Sequence, residues 1–434
     1  MIFEIVTCTK NKDILKLLVI SSAPVVELDG KLHLYAPYEK EMQLWAKHAD
    51  TIQFCCPIWK QDRKLLIAPI SFEVNSIVEL QEFDITSLSN KLKAIPFAFV
   101  ALIKIFKAMR QADHIHLRCP GNIALLACLV QILFPNKQKT AKYAGNWDPK
   151  SKQPWSYRLQ KWILSNTFLT KNMQVLVYGE WEGSSKNVKS FFTATYSELE
   201  VQNSKFKIQD SKFAEPFRFI FVGTLSKGKQ PLYAIKLVEE MHKKGKKVLL
   251  ELYGEGILRK ELEHYISQNN LEAIVFLKGN QNKETVLKGY QNSHFLILPS
   301  KSEGWPKVVA EAMFWGCVPI ASPVSCVSYM MGNGSRGIVL QEELNQDVNQ
   351  IKTVINNQEL YQKMASEGQS WSRQFTTDKF ETEIRKLLRG GFRDRETRGR
   401  GDGENWRCGD FVNGEVAKMK RVLNLINHVC LLVS

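Results

Sequence analysis

Two glutamates with seven residues between them carry the clearest chemical signal in this 434-residue sequence. Glu303 follows a short apolar run that is typical of a buried strand, and Glu311 lies about a turn and a half inside a helix that begins at Pro306. With a rise of about 1.5 Å per helical residue, the two carboxylates are expected within roughly 10 Å of each other. This separation suits two parts of one extended ligand better than a shared proton.

The surroundings of the two glutamates are apolar on the helix and rich in free amides at its start. Val308, Val309 and Ala312 flank Glu311, and a buried carboxylate is costly unless a polar group meets it. The backbone amides at 305–308 add a site for an anion, because the first amides of a helix have no partner within the helix. The alternative interpretation is a loop glutamate in water and a helical glutamate on a solvated face.

A glycine-rich turn, FVGTLSKGKQ at Phe221–Gln230, stands between a predicted strand and a predicted helix. Lysines in such a turn can face a phosphate that backbone amides also bind, and Lys227 and Lys229 are the lysines available here. The alternative is an ordinary strand-to-helix turn with solvated lysines.

Shorter segments after other predicted strands are weaker signals. YGEG, which ends in Gly256, and LKGNQN, which contains Asn280, are common turn chemistry when taken alone. In the first half, DHIHLRCPG ends a strand; we expect His114 to face the core and Arg118 to be either a cation in a cleft or one half of a surface ion pair. The segment YAGNWDP is rich in hydrogen-bonding and stacking groups, which makes it a candidate wall for an acceptor or else an ordinary loop.

Apolar runs alternate with amphipathic runs along most of the chain, which predicts parallel-sheet α/β units. The first half is predicted to form strands near Lys16–Ser21, Ile52–Cys56, His114–Leu117 and Val175–Tyr178, and helices near Ile95–Arg110, Gly121–Phe134 and Trp155–Leu164. The polar, lysine-rich run Glu198–Phe213 is predicted to be the linker between two domains.

The second half shows a cleaner alternation. Its predicted strands are Phe217–Val222, Val248–Tyr253, Ile274–Leu277, His294–Leu298 and Val318–Ala321, and its predicted helices are Pro231–Lys244, Leu258–Asn269, Lys283–Gln291, Pro306–Trp315 and Trp371–Leu388. This order predicts a doubly wound, Rossmann-like domain with its ligand-binding loops at the carboxyl ends of the strands.

The predicted fold is therefore α/β, with two Rossmann-like doubly wound domains that face each other across a cleft. We expect the N-terminal domain at 1–205, the C-terminal domain at 206–375, a terminal helix at 376–390 that crosses back to the first domain, and an atypical tail at 391–434. From Gly390 onward the tail is rich in glycine, arginine and aspartate, a composition that predicts disorder.

The frame PSKSEGWPKVVAEAMFWGCVPIAS, Pro299–Ser322, resembles the donor site of retaining glycosyltransferases of family 4, of the bacterial surface-polysaccharide type. Those enzymes have the GT-B architecture of two facing Rossmann-like domains. The resemblance covers about 217–340 well and about 15–210 more weakly. It implies that Glu303 contacts hydroxyls of the transferred sugar and that Glu311 binds the nucleotide ribose.

The same resemblance implies roles for the turns. FVGTLSKGKQ looks like the family's pyrophosphate loop, which holds an arginine directly after the glycine and a lysine five residues later. Lys229 matches that lysine, whereas Thr224 replaces the arginine, so Lys227 or the N-terminal domain is expected to supply the missing charge. YGEG and LKGNQN resemble the turns beside the nucleotide and its base. On the acceptor side, His116 matches the first of a histidine pair and Arg118 occupies the second position.

The expected reaction is transfer of a hexose from a nucleotide diphosphate sugar to a hydroxyl acceptor, with the anomeric configuration retained. The sequence contains no Asp-x-Asp, so cations of the protein, not a metal, are expected to stabilise the leaving diphosphate. No cofactor is expected beyond the nucleotide sugar itself. The predicted residues are, as catalytic, Glu303, Lys229 and Arg118; as donor-binding, Glu311, Gly223, Thr224, Lys227, Gly254, Gly256, Gly279, Asn280, Gly304, Trp305, Pro306 and Lys307; and, on the acceptor side, His116, Asn146 and Trp147.

The charge is unevenly distributed. The chain carries 59 basic and 44 acidic residues, and 91–189 holds 16 basic residues against four acidic ones. Such a patch suits an anionic surface, and its lysines alternate with phenylalanines, so we expect a peripheral contact with the inner face of a membrane and a lipid-linked saccharide as acceptor. The alternative is an ordinary basic surface in contact with water. No nucleic-acid module is visible. The odd number of cysteines, nine, and the absence of a signal peptide or a long apolar run predict a cytoplasmic protein.

Two other functions stay open at this point. One is another GT-B class, a nucleotide-sugar epimerase or a phosphorylase, although no cofactor lysine for a phosphorylase is apparent. The other is a non-catalytic sugar-nucleotide-binding protein, which Thr224 in place of the usual arginine would suit.

Overall fold

The computed structural model describes residues 14–61, 63, 65–83, 88–203 and 213–398. The first half of the chain builds one large and one small sheet. Its strands are β1 (Lys16–Ser21), β2 (Val25–Leu28), β3 (Lys31–Tyr35), β4 (Thr51–Cys56), β5 (Ile58–Trp59), β6 (Ile67–Pro69), β7 (Ser76–Glu79), β8 (His114–Cys119), β9 (Gln138–Tyr143), β10 (Met173–Tyr178) and β11 (Val188–Phe191). Its helices are α1 (Ala36–Ala46), α2 (Leu88–Gln111), α3 (Asn122–Val130), α4 (Trp155–Ser165) and α5 (Glu198–Asn203).

The large sheet is parallel throughout and has the order β11-β10-β9-β8-β1-β4-β7. The small sheet, β5-β2-β3-β6, is an insertion between β1 and β7. The predicted strands β1, β4, β8 and β10 are present, but the small sheet and the strands β7, β9 and β11 were not predicted. Strand β9 has the sequence QKTAKY and is buried almost throughout. It was not predicted because its two lysines are untypical of a buried strand.

The second half builds a six-stranded parallel sheet of order β14-β13-β12-β15-β16-β17. Its strands are β12 (Phe217–Val222), β13 (Val248–Tyr253), β14 (Val275–Gly279), β15 (Phe295–Leu298), β16 (Val318–Ala321) and β17 (Ile338–Val339). The helices are α6 (Pro231–Lys243), α7 (Arg259–Gln268), α8 (Lys283–Asn292), α9 (Lys307–Phe314), α10 (Val327–Met330), α11 (Leu344–Ile355), α12 (Gln358–Ser372) and α13 (Thr377–Arg398).

Three predictions about the connecting segments need correction. The predicted helix Trp371–Leu388 is two helices, because the chain turns after α12 and Thr376 accepts a hydrogen bond at 3.1 Å from the amide of Lys379 at the start of α13. Helix α13 continues to Arg398, so the first part of the segment predicted to be disordered is helical. The predicted linker begins with helix α5, whereas 204–212 and the tail from 399 onward lie outside the described residues.

Helix α13 contacts the first domain through two of its glutamates. Glu381 accepts hydrogen bonds from Lys47 at 2.8 Å and from His48 at 3.0 Å, and Glu383 pairs with Lys189 at 2.6 Å. Because these contacts tie the end of the second domain to the first, they help to set how the two sheets face each other. Within the described ranges, no helix is both long enough and apolar enough to cross a membrane.

Candidate functional site

The loops that follow β12, β13 and β15 meet at one edge of the second sheet, because the carboxyl ends of parallel strands lie together. The glycines in these loops allow the backbones to touch. A Cβ atom at Gly254 would clash with the carbonyl oxygen of Gly223, and one at Gly256 would clash with that of Leu225. The amide of Gly254 also donates to Gly279 at 2.8 Å. Four of the five predicted donor-binding glycines, Gly223, Gly254, Gly256 and Gly279, are therefore close neighbours.

Glu303 and Lys229 form an ion pair at this edge, with 2.5 Å between the carboxylate oxygen Oε1 and the ammonium nitrogen Nζ. The carboxylate is 10% exposed and the lysine side chain 30%. The amide of Lys301 donates to the carbonyl of Gly228 at 2.9 Å, which fastens the loop after β15 to the glycine-rich turn. The structure thus brings together two of the three predicted catalytic residues.

Glu311 receives polar partners from two directions, as a half-buried carboxylate requires. Thr195 donates to its Oε1 atom at 2.8 Å and the buried Tyr290 donates to its Oε2 atom at 3.1 Å. Tyr290 belongs to the second domain, whereas Thr195 lies on the stretch between β11 and α5. The sequence drew attention to neither partner, because hydroxyl groups far apart in the chain carry no local pattern.

The two glutamates face two different cavities between the domains. Glu311 lines one of about 490 Å³ together with Lys307, and Glu303 lines another of about 680 Å³ together with Asn146. The loop residue Gly304 lies against the first domain, since a Cβ atom there would be 2.8 Å from the carbonyl oxygen of Ala144. Both cavities are lined by residues of both halves of the chain, so the expected cleft between the domains contains at least two openings.

The other predicted donor-binding residues take different kinds of position. Trp305 is buried between Tyr178 and Trp371, with ring centroids 5.9 and 6.1 Å away, so it packs the domains together and does not line either cavity. Pro306 precedes helix α9 as its N-cap. Thr224 and Lys227 are exposed on the glycine-rich turn, and Asn280 stands next to Gln281, which lines the Glu311 cavity.

The prediction for His116 on the acceptor side is wrong. Its ring is fully buried, shares a 2.8 Å hydrogen bond with Thr140 and lies 4.3 Å from the ring of Trp45. Burial lowers the pKa of His116 to about 3, so the ring is neutral. The expectation that His114 faces the core is confirmed, because this side chain is buried on the same face of β8 and contacts the same threonine.

Trp147 lies mostly in the core of the first domain. Its indole is 4% exposed and packs edge-on against Tyr143, with 4.9 Å between the ring centroids. It does not line the Glu303 cavity, although its neighbours Asn146 and Asp148 do. Trp147 was predicted to contact a ligand because an indole ring can stack on one, but most of its surface packs in the core of the first domain.

Arg118 belongs to a buried cluster of charges beside the Glu311 cavity. Its guanidinium lies 3.6 Å from Glu41 and 4.1 Å from the ring of Tyr38, and Lys142 lies 2.8 Å from the same carboxylate. Burial by itself would raise the pKa of Glu41, but the two cations outweigh this effect and hold the pKa at about 2. Glu41 lines the cavity, whereas Arg118 lies behind it. Arg118 is therefore part of a largely buried ion cluster, which differs from both the cleft cation and the surface ion pair that the sequence left open.

Comparisons with known proteins agree with this geometry. Residues 203–371, which include Lys229, Glu303 and Glu311, match the family described as "Glycosyl transferases group 1". An uncharacterised glycosyltransferase of Methanocaldococcus jannaschii is 30% identical over 138 residues, which are 32% of this chain and 39% of that protein.

A second relative has a named activity. The N-acetylgalactosamine-N,N'-diacetylbacillosaminyl-diphospho-undecaprenol 4-alpha-N-acetylgalactosaminyltransferase of Campylobacter jejuni is 25% identical over 198 residues, 45% of this chain and 53% of that protein. The matched regions thus span about half, or less, of the length of these relatives.

Among solved structures, Anabaena HepE in complex with UDP and glucose superposes with a TM-score of 0.58 at 15% identity, over 86% of this chain and 99% of that one. The predicted fold is confirmed: the two parallel-sheet domains form a GT-B architecture.

Proposed function

We propose that this protein is a retaining hexosyltransferase of family 4, which moves a hexose from a nucleotide diphosphate sugar to a hydroxyl of a saccharide or lipid-linked saccharide. The observation that carries the proposal is the Lys229–Glu303 pair, whose carboxylate lines an interdomain cavity, inside the segment that matches the group 1 glycosyl transferases. The named relatives are transferases, which favours transfer over epimerisation or mere binding.

In this proposal the cationic groups bind the leaving diphosphate, and the two carboxylates bind the sugar and the ribose. As the bond between the anomeric carbon and the diphosphate oxygen breaks, Lys229 and the amides at the start of α9 stabilise the negative charge of the leaving group. Glu303 exchanges its lysine partner for hydroxyls of the sugar, and Glu311 holds the ribose. The acceptor oxygen bonds to the same face of the anomeric carbon, and its proton passes to the leaving diphosphate. No cofactor or metal takes part.

We assign the acceptor to the N-terminal domain, 1–205, and the donor to the C-terminal domain, 206–375, with the segment 376–390 as the crossing helix and 391–434 as a tail without an assigned role. Two names support these substrates. The Campylobacter relative is named for a diphospho-undecaprenol-linked saccharide, and the Anabaena structure holds UDP and glucose.

A screen of nucleotide sugars tests the donor. UDP-, GDP- and ADP-hexoses are each added to the protein over a range of concentrations, and the melting temperature is measured at each. A donor that binds only the folded protein adds about 2.7 kcal/mol of stability once its concentration reaches about 100 times its dissociation constant, which raises the melting temperature by a few degrees. Free glucose at the same concentration is the control. A panel in which no nucleotide sugar shifts the melting temperature contradicts the proposal.

The second partner that we propose is an anionic membrane, reached through the exposed first half of α2. Ile95, Phe97 and Phe99 are 61%, 39% and 46% exposed there, and the exposed Lys104 and Lys107 follow on the same helix. Apolar side chains flanked by lysines suit the boundary between headgroups and acyl chains. Lys91 and Lys93 belong to the same helix, but their side chains lie outside the described residues.

Flotation with vesicles of phosphatidylglycerol tests this contact. The protein is expected to float at low salt and to float much less at 1 M salt, because the Debye length shrinks from about 10 to about 3 Å between 0.1 and 1 M. The double replacement Phe97→Ser and Phe99→Ser is expected to abolish flotation, whereas Phe168→Ser, an exposed aromatic elsewhere in the first domain, leaves it unchanged. Equal flotation of all three proteins excludes α2 as the contact.

A further inference from the structure

A third groove adjoins the Glu303 cavity on the surface of the first domain. It has a volume of about 480 Å³ and lies between α4 and the loop after β10. Ser151 and Gln153 line both this groove and the Glu303 cavity, so the two are adjacent. Three tryptophans line the groove: Trp147, Trp162 and Trp181.

The three tryptophans present themselves differently. Trp162 is 58% exposed on the third turn of α4. Trp181 is half-buried, and its indole N–H donates to the carbonyl of Tyr178 at 2.8 Å, which fixes the ring. Trp147 is covered by Tyr143 on one side and by the ammonium group of Lys161, 5.3 Å from its ring centroid. Trp162 and Trp181 therefore have ring surface that a ligand can contact, and Trp147 forms a wall of the groove.

Side chains of α4 line one side of the groove and fix the loop on its other side. Arg158, Trp162 and Ser165 recur at helical spacing, so they lie on one face of α4. Lys161 donates to the carbonyls of Trp147 and Asp148 at 2.7 and 3.1 Å, which braces the loop that joins the two cavities. Because hydrogen bonds hold this loop and the neighbouring indole rings are exposed or half-buried, the groove has the features of a preformed ligand site.

We propose that this groove binds the acceptor saccharide, at the sugar units remote from the hydroxyl that receives the hexose. Pyranose rings carry an apolar face of C–H groups, which stacks on the electron-rich face of an indole, while their hydroxyls bond to polar groups at the rim. Ligand sites typically measure about 300–1,000 Å³, so the Glu303 cavity and the groove together have room for several sugar units. The acceptor is then an oligosaccharide. This inference rests on the proposed function.

Trp162→Ala tests the groove directly. The parent protein is applied to an array of defined oligosaccharides of one to eight units, and the strongest ligand is then titrated by calorimetry. We expect binding to require more than one sugar unit, and Trp162→Ala to weaken it about tenfold or more, because a stacking surface is lost. Trp162→Phe is expected to restore most of the affinity. Phe168→Ala, which removes a 76% exposed aromatic outside the groove, serves as the matched control and is expected to bind like the parent.

The outcomes separate this inference from the proposed function. If nucleotide sugars stabilise the parent but its array signal is absent or is unchanged in Trp162→Ala, the groove is not the acceptor site while the transferase proposal stands. If nucleotide sugars do not bind at all, the proposed function fails first. If Trp162→Ala instead loses flotation with phosphatidylglycerol vesicles while saccharide binding persists, the exposed indole contacts lipid and the inference is wrong.

Discussion

Replacing Glu303 by glutamine is expected to lower kcat/KM for sugar transfer by about 10²- to 10³-fold. The carboxylate lies 2.5 Å from Lys229 in the interdomain cavity, and groups that act where charge develops in the transition state have effects of this size. The measurement is release of the nucleotide diphosphate from the donor that the thermal screen identifies, with a membrane extract as the source of acceptor. Most of the loss is expected in kcat, with the shift in melting temperature by donor largely kept.

A double-mutant cycle sharpens this prediction. Lys229→Met is expected to cause a similar loss, and the double variant a loss smaller than the product of the two, because the two side chains are in contact and serve the same bond-breaking step. Glu240→Gln, which removes the acid of a 3.2 Å pair with Lys243 on the surface of α6, is the control and is expected to turn over like the parent. Release at the parent's rate by Glu303→Gln, or strict additivity in the cycle, contradicts the roles assigned to the pair.

Glu41→Gln is expected to lower the free energy of unfolding by about 3–5 kcal/mol. The replacement leaves Arg118 and Lys142 as buried cations without the carboxylate between them, and breaking a buried ion cluster in this way is strongly destabilising. Urea unfolding at pH 7 measures the effect. Adding Lys142→Met to Glu41→Gln is expected to recover part of it, because one unpaired cation is removed. As the control, Glu82→Gln breaks the exposed pair with Arg63 and is expected to cost less than about 1 kcal/mol.

The pH dependence gives a second readout of the same cluster. The pKa of Glu41 is about 2 in the folded protein against an ordinary value of 4.5. A group whose pKa is depressed on folding stabilises the fold above its unfolded pKa, and this contribution disappears as the pH falls from about 4.5 towards 2. Glu41→Gln should therefore flatten the loss of stability in that window. Parallel stability profiles for the two proteins would show that Glu41 is not held by its neighbours.

The second domain was predicted closely because its chemistry is local. Phe217–Val222, Val248–Tyr253 and Val318–Ala321 are strands with the predicted bounds, since each is a short apolar run between clear turns. The Lys229 and Glu303 loops follow two such strands, so their meeting was predictable from topology. In the first domain, β9 was missed because Lys139 and Lys142 are buried by partners that no local pattern reveals.

The sequence by itself determined two Rossmann-like domains, the order of the second domain's elements along the chain and the loops that carry Lys229, Glu303 and Glu311, because hydrophobic periodicity and turn glycines act over a few residues. The GT-B architecture was implied by the resemblance of the frame Pro299–Ser322 to a known family. Only the tertiary structure decided which way the remaining side chains point. It buries His116 and Trp305, places two cations beside Glu41 and places Trp162 in the groove next to the Glu303 cavity. The reason is that burial and charge pairing depend on neighbours contributed by distant parts of the chain, and such neighbours exist only after the two domains have folded and packed together.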